Sequence, residues 1–395
     1  MYSRIPSKVK ICECWARDGL QGEAAFLPTD VKVSMINRFA EIGFKRIEVT
    51  SFAHPKLVRQ FSDCMEVLQK IRRQPDVTYV AVVPNEKGLE RAFEACDKGT
   101  GIQEITAIIS ASESHLLANL ERTFEEVMPP LGRLVARARS AGLKVIGCIG
   151  TAFGCPLAGD VSLQKVIELT EWYLDKGATS IMLGDTTGEA NPAQVHAVFS
   201  TMREKFPDTD FIAHFHDTRG MGLANTLAAL HAGIVYHDTS FGGIGGQPAT
   251  NRPPYHKGLT GNAATEDAVC MFNDMGIDPT MEDTFERLAS DLDRIGLVYI
   301  HLVDHSSMGA PEVKPSIKRK LRAAFHGTLI LSGGYDRARA EADLVAQHGD
   351  LIAFGRPFIA NPKLVTKLRN GSVLLPADPA TFYSPGEKGY IDYPA

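Results

Sequence analysis

The chain has 395 residues, 44% hydrophobic and 23% charged, with a formal net charge of −5. This is ordinary globular composition, enough for one large domain plus a smaller one, or for two to three average domains. It excludes a membrane span, which needs about 18 uninterrupted apolar residues, and it contains no basic run suited to nucleic acid. The segment Met1–Lys8 lacks the apolar core of a signal peptide. The seven cysteines are odd in number and form no Cys-x-x-Cys pair. A reduced, cytoplasmic protein is the expectation, with a homo-oligomer left open.

The first strand-like run is Val9–Cys14. It leads into Trp15-Ala16-Arg17-Asp18-Gly19-Leu20-Gln21, which is not the Gly-rich phosphate loop of a doubly wound open sheet. A helix is predicted over Asp30–Ile42, a strand over Arg46–Thr50 and a helix over Pro55–Arg72. Strands follow at Val77–Val83 and Glu104–Ile109, then a helix at Leu120–Ala141 and a strand at Lys144–Ile149. A helix at Leu163–Lys176 precedes the strand Ser180–Leu183, and one at Pro192–Phe206 precedes the strand Phe211–His216. The helix Gly222–Ala232 and the strand Ile234–Ser240 complete the series. Eight strands separated by helices predict an α/β fold, a (β/α)8 TIM barrel.

Beyond about Asp278 the beat restarts with strands at Leu297–Val303, Thr328–Ser332 and Asp350–Phe354. Eight strands already close a barrel, so these units predict an appended partial βα barrel segment. The expected domains are 1–281 and 282–395.

In a TIM barrel the chemistry sits where the strands end. Here those ends carry Arg17-Asp18, Glu48, Asn85, Ser110-Ser112-Glu113, Asp185-Thr186, His214 with His216, and Asp238-Thr239. On a strand, residues i and i+2 face the same way, so His214 and His216 point together. An isolated His-x-His pair is more often two ordinary histidines. With Asp18 and Asn262 the pair becomes a set of two oxygens and two nitrogens. Such a mixed set suits Mg²⁺ or Mn²⁺ better than a closed zinc site.

Seven strings in order resemble the hydroxymethylglutaryl-CoA lyase family of the DRE-TIM metallolyases, over about Val9 to Asp278. They are Arg17-Asp18-Gly19-Leu20-Gln21, Ile47-Glu48-Val49-Thr50-Ser51-Phe52, Gly154-Cys155-Pro156, Leu183-Gly184-Asp185-Thr186, His214-Phe215-His216-Asp217-Thr218, Leu223-Ala224-Asn225-Thr226 and Gly261-Asn262-Ala263-Ala264-Thr265-Glu266-Asp267. The resemblance implies a metal-assisted retro-Claisen cleavage of a 3-hydroxy-3-methylglutaryl-CoA-like thioester, giving acetyl-CoA and an oxo acid. It implies metal ligation by Asp18, His214, His216 and Asn262. Arg17 is expected to stabilise the enolate oxygen, Glu48 to orient a water on the metal, and Asp185 to move the hydroxyl proton.

One departure stands out. The family's loop after the eighth strand reads Gly-Gly-Cys-Pro, with a catalytic cysteine, whereas this chain reads Gly245-Gly246-Gln247-Pro248. A glutamine amide does not titrate. Of the residues between Gln247 and Thr260, His256 is the best replacement by its ordinary pKa. Another acyl-CoA, such as citramalyl-CoA, is the alternative substrate.

A second resemblance covers about Phe285 to Ala395, to the C-terminal part of old yellow enzyme, an FMN-dependent ene-reductase. It rests on Ser332-Gly333-Gly334-Tyr335, Ala353-Phe354-Gly355-Arg356-Pro357 and Gly389-Tyr390-Ile391-Asp392-Tyr393-Pro394, among other strings. It implies Gly334, Gly355 and Arg356 at an FMN phosphate. The front half of that barrel, which supplies the flavin-ring contacts, has no counterpart. A fused remnant or docking surface is therefore expected ahead of bound FMN. A flavin reductase and a non-catalytic scaffold are the remaining alternatives.

Overall fold

A computed structural model describes residues 5–247, 260–279, 289–290, 292–304, 306, 313, 315–381 and 393. The chain forms two compact units, Met1–Met281 and Glu282–Ala395.

The first unit is a closed ring of eight parallel strands. They are β1 (Lys10–Glu13), β2 (Arg46–Ser51), β3 (Thr78–Val82), β4 (Glu104–Ser110), β5 (Lys144–Gly150), β6 (Ser180–Asp185), β7 (Asp210–Phe215) and β8 (Tyr236–Thr239). Closure runs through β1 and β8, with Cys12 opposite Asp238 and Glu13 opposite Thr239. This is the (β/α)8 barrel that the apolar runs predict. Parallel strands are buried on both faces, so their middles are mostly apolar while their ends carry the polar residues, as in Glu104–Ser110 and Asp210–Phe215.

Alternation along each strand sorts two cores. Val80, Ile146, Cys148, Met182 and Ile212 pack together inside the ring. Residues of opposite parity, such as Ile105, Val145, Ile181 and Phe211, join the larger core between ring and helices.

Two helices differ from expectation. Pro55–Arg72 is a 3₁₀ turn at Arg59–Phe61 and a helix at Cys64–Lys70. The buried Lys32 ammonium takes the Gln60 carbonyl at 2.6 Å, and the Gln60 amide reaches back to the Ala25 carbonyl at 2.9 Å. Those contacts hold the segment out of a continuous helix. Leu120–Ala141 is split into Glu113–Leu120 and Phe124–Ser140. Glu121 between them is left-handed, with φ of 56°, and Thr123 with Glu126 forms a capping box that starts the second helix.

The second unit is a three-stranded parallel sheet in the order β11-β10-β9. Its strands are β9 (Tyr299–Val303), β10 (Thr328–Ser332) and β11 (Leu351–Ala353). Helices at Pro315–Ala324, Arg337–Val345, Arg356–Ala360 and Leu364–Asn370 accompany them. Its small core centres on Leu321, Phe325, Leu329, Leu331 and Tyr335. Beside Tyr335, Asp343 accepts from the Tyr335 hydroxyl at 2.5 Å and from Lys318 at 2.7 Å, and pairs with His348 at 2.8 Å. Among the described residues no helix is long and apolar enough to cross a membrane.

Candidate active site

The site starts where β1 ends. Trp15–Gly19 forms a single π turn there, a winding wider than an α turn, closed by the Gly19 amide on the Cys14 carbonyl at 3.2 Å, and it buries Arg17 and Asp18. Glu13 anchors the turn by accepting from the Trp15 and Phe241 amides, both at 2.9 Å, and from the Thr265 hydroxyl at 2.7 Å. Burial raises its pKa to about 7 against those bonds.

Asp18 meets the two histidines of β7. Its Oδ2 lies 3.0 Å from His214 Nε2 and 3.6 Å from His216 Nε2, and the two Nε2 atoms are 3.2 Å apart. His214 Nδ1 stands 3.4 Å from Asp238 Oδ2, and His216 Nδ1 donates to the Thr260 carbonyl at 2.5 Å. Binding the far nitrogen of each ring aims its Nε2 at Asp18.

The three groups share charge. Burial would raise Asp18, but Arg17 and the histidines hold it well below the usual carboxylate range. Burial would lower His214, but Asp18 and Asp238 outweigh it and lift its pKa to about 10. Burial, opposed by Asp18, keeps His216 down at about 4. A proton on His214 thus occupies the place that suits a cation. A carboxylate and two imidazoles, with donor atoms all within 4.8 Å of one another, fit a divalent metal that would displace that proton.

Asn262 stands beside this set through a backbone bridge with His216. Its amide nitrogen donates to the Ile244 carbonyl at 3.0 Å, which leaves the amide oxygen as an acceptor. Gly245 packs against it so closely that a Cβ there would fall 2.1 Å from Asn262 Nδ2.

Arg17 is held from behind. Its Nε bonds Glu48, whose other oxygen accepts from the Thr106 hydroxyl at 3.1 Å. Burial pulls the guanidinium's pKa down, but Glu48 and Asp18 more than offset it, so the charge is permanent. The two Glu48 oxygens thus take Arg17 and Thr106 respectively. Gln21 bridges outward: its amide nitrogen donates to Asp18 Oδ1 and to the Gly246 carbonyl, the latter at 2.7 Å.

Arg17, Asp18, Gln21, His214 and His216 line a cavity of about 140 Å³. Its rim includes Gly246 and Gln247, and its far wall includes Ser110, His115 and Asn119. His115 and Asn119 carry no motif signal, and sequence reasoning missed them. Their one trace is the i,i+4 spacing that puts both on one helix face.

Asp185 is not among the cavity-lining residues. Gly184 and Thr186 line the cavity, so alternation turns Asp185 toward the helices. There its Oδ1 accepts from the Glu189 amide at 2.7 Å and the Ala190 amide at 3.1 Å. Burial raises its pKa to about 7. His256 lies outside the described residues. In the second unit Gly334, Gly355 and Arg356 are all exposed, and a Cβ at Gly355 would meet open space. Among the described residues they form no enclosed cradle for a flavin phosphate.

Comparison with known proteins separates the two units. Residues 8–295 match the HMGL-like family model. Residues 267–374 match that of the NADH:flavin oxidoreductase / NADH oxidase family. Hydroxymethylglutaryl-CoA lyase YngG of Bacillus subtilis is 42% identical over 272 residues, covering 69% of this chain and 87% of the relative. The cytoplasmic 3-hydroxy-3-methylglutaryl-CoA lyase of Rattus norvegicus is 38% identical over 275 residues, covering 70% and 77%. An HMG-CoA lyase from Acinetobacter baumannii, solved with coenzyme A and 3-methylmalate, superposes with a TM-score of 0.63 at 36% identity. It covers 73% of this chain and 95% of that one.

Proposed function

The chain belongs to the HMGL-like family of lyases, and from that premise we propose that its barrel is a divalent-metal-dependent carbon–carbon lyase. The reaction is retro-Claisen cleavage of a 3-hydroxy-3-methylglutaryl-CoA-like thioester to acetyl-CoA and an oxo acid. The carrying observation is the convergence of Asp18, His214, His216 and the buried Arg17 in one cavity. Coenzyme A in the Acinetobacter lyase supports an acyl-CoA substrate.

A divalent cation held by Asp18, His214, His216 and Asn262 would acidify the tertiary hydroxyl of the substrate. Mg²⁺ and Mn²⁺ both suit this oxygen and nitrogen set. Arg17 donates to the thioester oxygen as it gains enolate charge, with a cation that neither titrates nor swings because Glu48 holds it. Gln247 at the rim brings no proton-transfer group, and this favours a second reading: cleavage of a related thioester such as citramalyl-CoA.

The unpaired cysteines suit a reducing compartment such as the cytoplasm. We read 282–395 as an appended flavoreductase-like piece without catalytic duty. The test is a cleavage assay over a panel of 3-hydroxyacyl-CoA thioesters with Mg²⁺ or Mn²⁺, alongside metal analysis of the same sample. Metal-loaded protein that cleaves none of them rules out the lyase.

A further inference from the structure

The cleavage needs a proton carrier. As the C–C bond breaks, the hydroxyl O–H pair becomes the new carbonyl π bond. The C–C pair becomes the enolate, whose carbon must then take a proton. No proton is consumed overall, so one side chain that accepts from oxygen and donates to carbon suffices.

Among the described residues, six cavity-lining side chains are ionisable: Arg17, Asp18, His115, Cys148, His214 and His216. Asp18, His214 and His216 are occupied as proposed ligands. Arg17 is a permanent cation bonded to Glu48. Cys148 belongs to the inner barrel core, where burial pushes its thiol far up, so it neither ionises nor takes a proton readily. His115 remains. Its backbone is fixed at the end of β4, since its amide donates to Ser112 Oγ at 3.3 Å and the Ser112 amide donates to Ser110 Oγ at 3.1 Å. The helix Glu113–Leu120 then presents the ring to the cavity.

We infer that His115 takes the substrate hydroxyl proton and returns it to the enolate carbon, the duty that Gln247 cannot perform. Burial lowers the pKa of its ring to about 4, so at neutral pH the imidazole is uncharged. Once protonated, such a ring is a strong donor. The inference rests on the lyase reading above.

The experiment compares wild type, His115→Ala, His115→Gln and His256→Ala, each checked for fold by circular dichroism and for metal content. Two readouts are taken: thioester cleavage, and exchange of acetyl-CoA methyl hydrogens with deuterated water. Both His115 variants are expected to lose about 10²–10⁴-fold in kcat and to lose exchange in proportion, with KM and metal content little changed. Added imidazole is expected to restore His115→Ala, which has room for it, and to leave His115→Gln low. If His256→Ala alone loses exchange, or if both folded His115 variants keep wild-type turnover, the inference is overturned. Failure of imidazole to restore a folded, metal-loaded His115→Ala also overturns it, because the ring would then act by packing. A wild type that cleaves nothing while holding metal fails earlier, at the lyase reading itself.

Discussion

The two units of this chain use the same βα grammar to opposite ends. In the barrel every strand has two neighbours, and the ring buries charges that pair across it: Arg17 with Glu48, and Asp18 with His214. In the second unit β10 alone lies between two others, and alternate residues of β9 stay open, with Tyr299 54% and Val303 45% exposed. Its charged cluster, Asp343 with Lys318, Tyr335 and His348, sits beside its core and faces no cavity found among the described residues. In the barrel the closed ring brings its strand-end motifs to one cavity. In the second unit Gly334, Gly355 and Arg356, expected at a phosphate from the resemblance, are exposed.

The contrast breaks first at Asp18. Asp18→Ala is expected to abolish bound metal and to lower thioester cleavage by at least about 10³-fold, through loss of Lewis-acid assistance. Cleavage that survives with the metal gone would mean the chemistry lies elsewhere. Arg17→Lys comes next. A lysine lacks the planar fork that Glu48 grips, so turnover should fall about 10²–10³-fold while metal content holds. Near-wild-type turnover would remove the enolate role.

A smaller effect separates the units by pH. Burial raises Asp185 from 3.8 to about 7, so between those values the folded barrel keeps a proton that the unfolded chain releases. The Asp185 contribution to barrel stability should therefore fall as pH rises through that window, with its full cost present above about 7. Asp185→Asn keeps the acceptor for the Glu189 and Ala190 amides, and should flatten the slope. Asp343 has the opposite sign. Burial would raise it, but Lys318, Tyr335 and His348 outweigh that and lower it to about 2. Its contribution is complete above about 4 and is lost as pH falls toward about 2. Hydrogen exchange followed separately in each unit across acid and alkaline buffers checks both signs. The smallest effect belongs to Arg356→Ala, which should leave lyase turnover within about twofold, because the residue is exposed in the other unit. Visible absorbance of the purified protein is expected to show no flavin, and a yellow sample would reverse the contrast drawn between the units.

The ring was legible in the sequence because doubly buried strands read as apolar runs, and the observed ends lie within two residues of the expected ones. The helix breaks near Gln60 and Glu121 were not, because a distant ammonium decides one and a left-handed residue the other. The histidine pair and Asp18 were legible as candidates from spacing. The grip of Glu48 on Arg17 was hidden, since it exists only once β1 and β2 lie side by side. The direction of Asp185 was readable in principle: it shares parity with Ile181 and Leu183, which belong to the outer core. His115 was invisible, being a lone histidine on a short helix.

Gln21 ties two parts of the barrel that would otherwise move apart. One amide nitrogen holds both Asp18 and the Gly246 carbonyl, so the carboxylate's position and the loop's position share a single free energy. Such a linkage is reciprocal. A ligand that shifts the Gly246 carbonyl therefore bears on Asp18, and one that shifts Asp18 bears on Gly246 in equal measure.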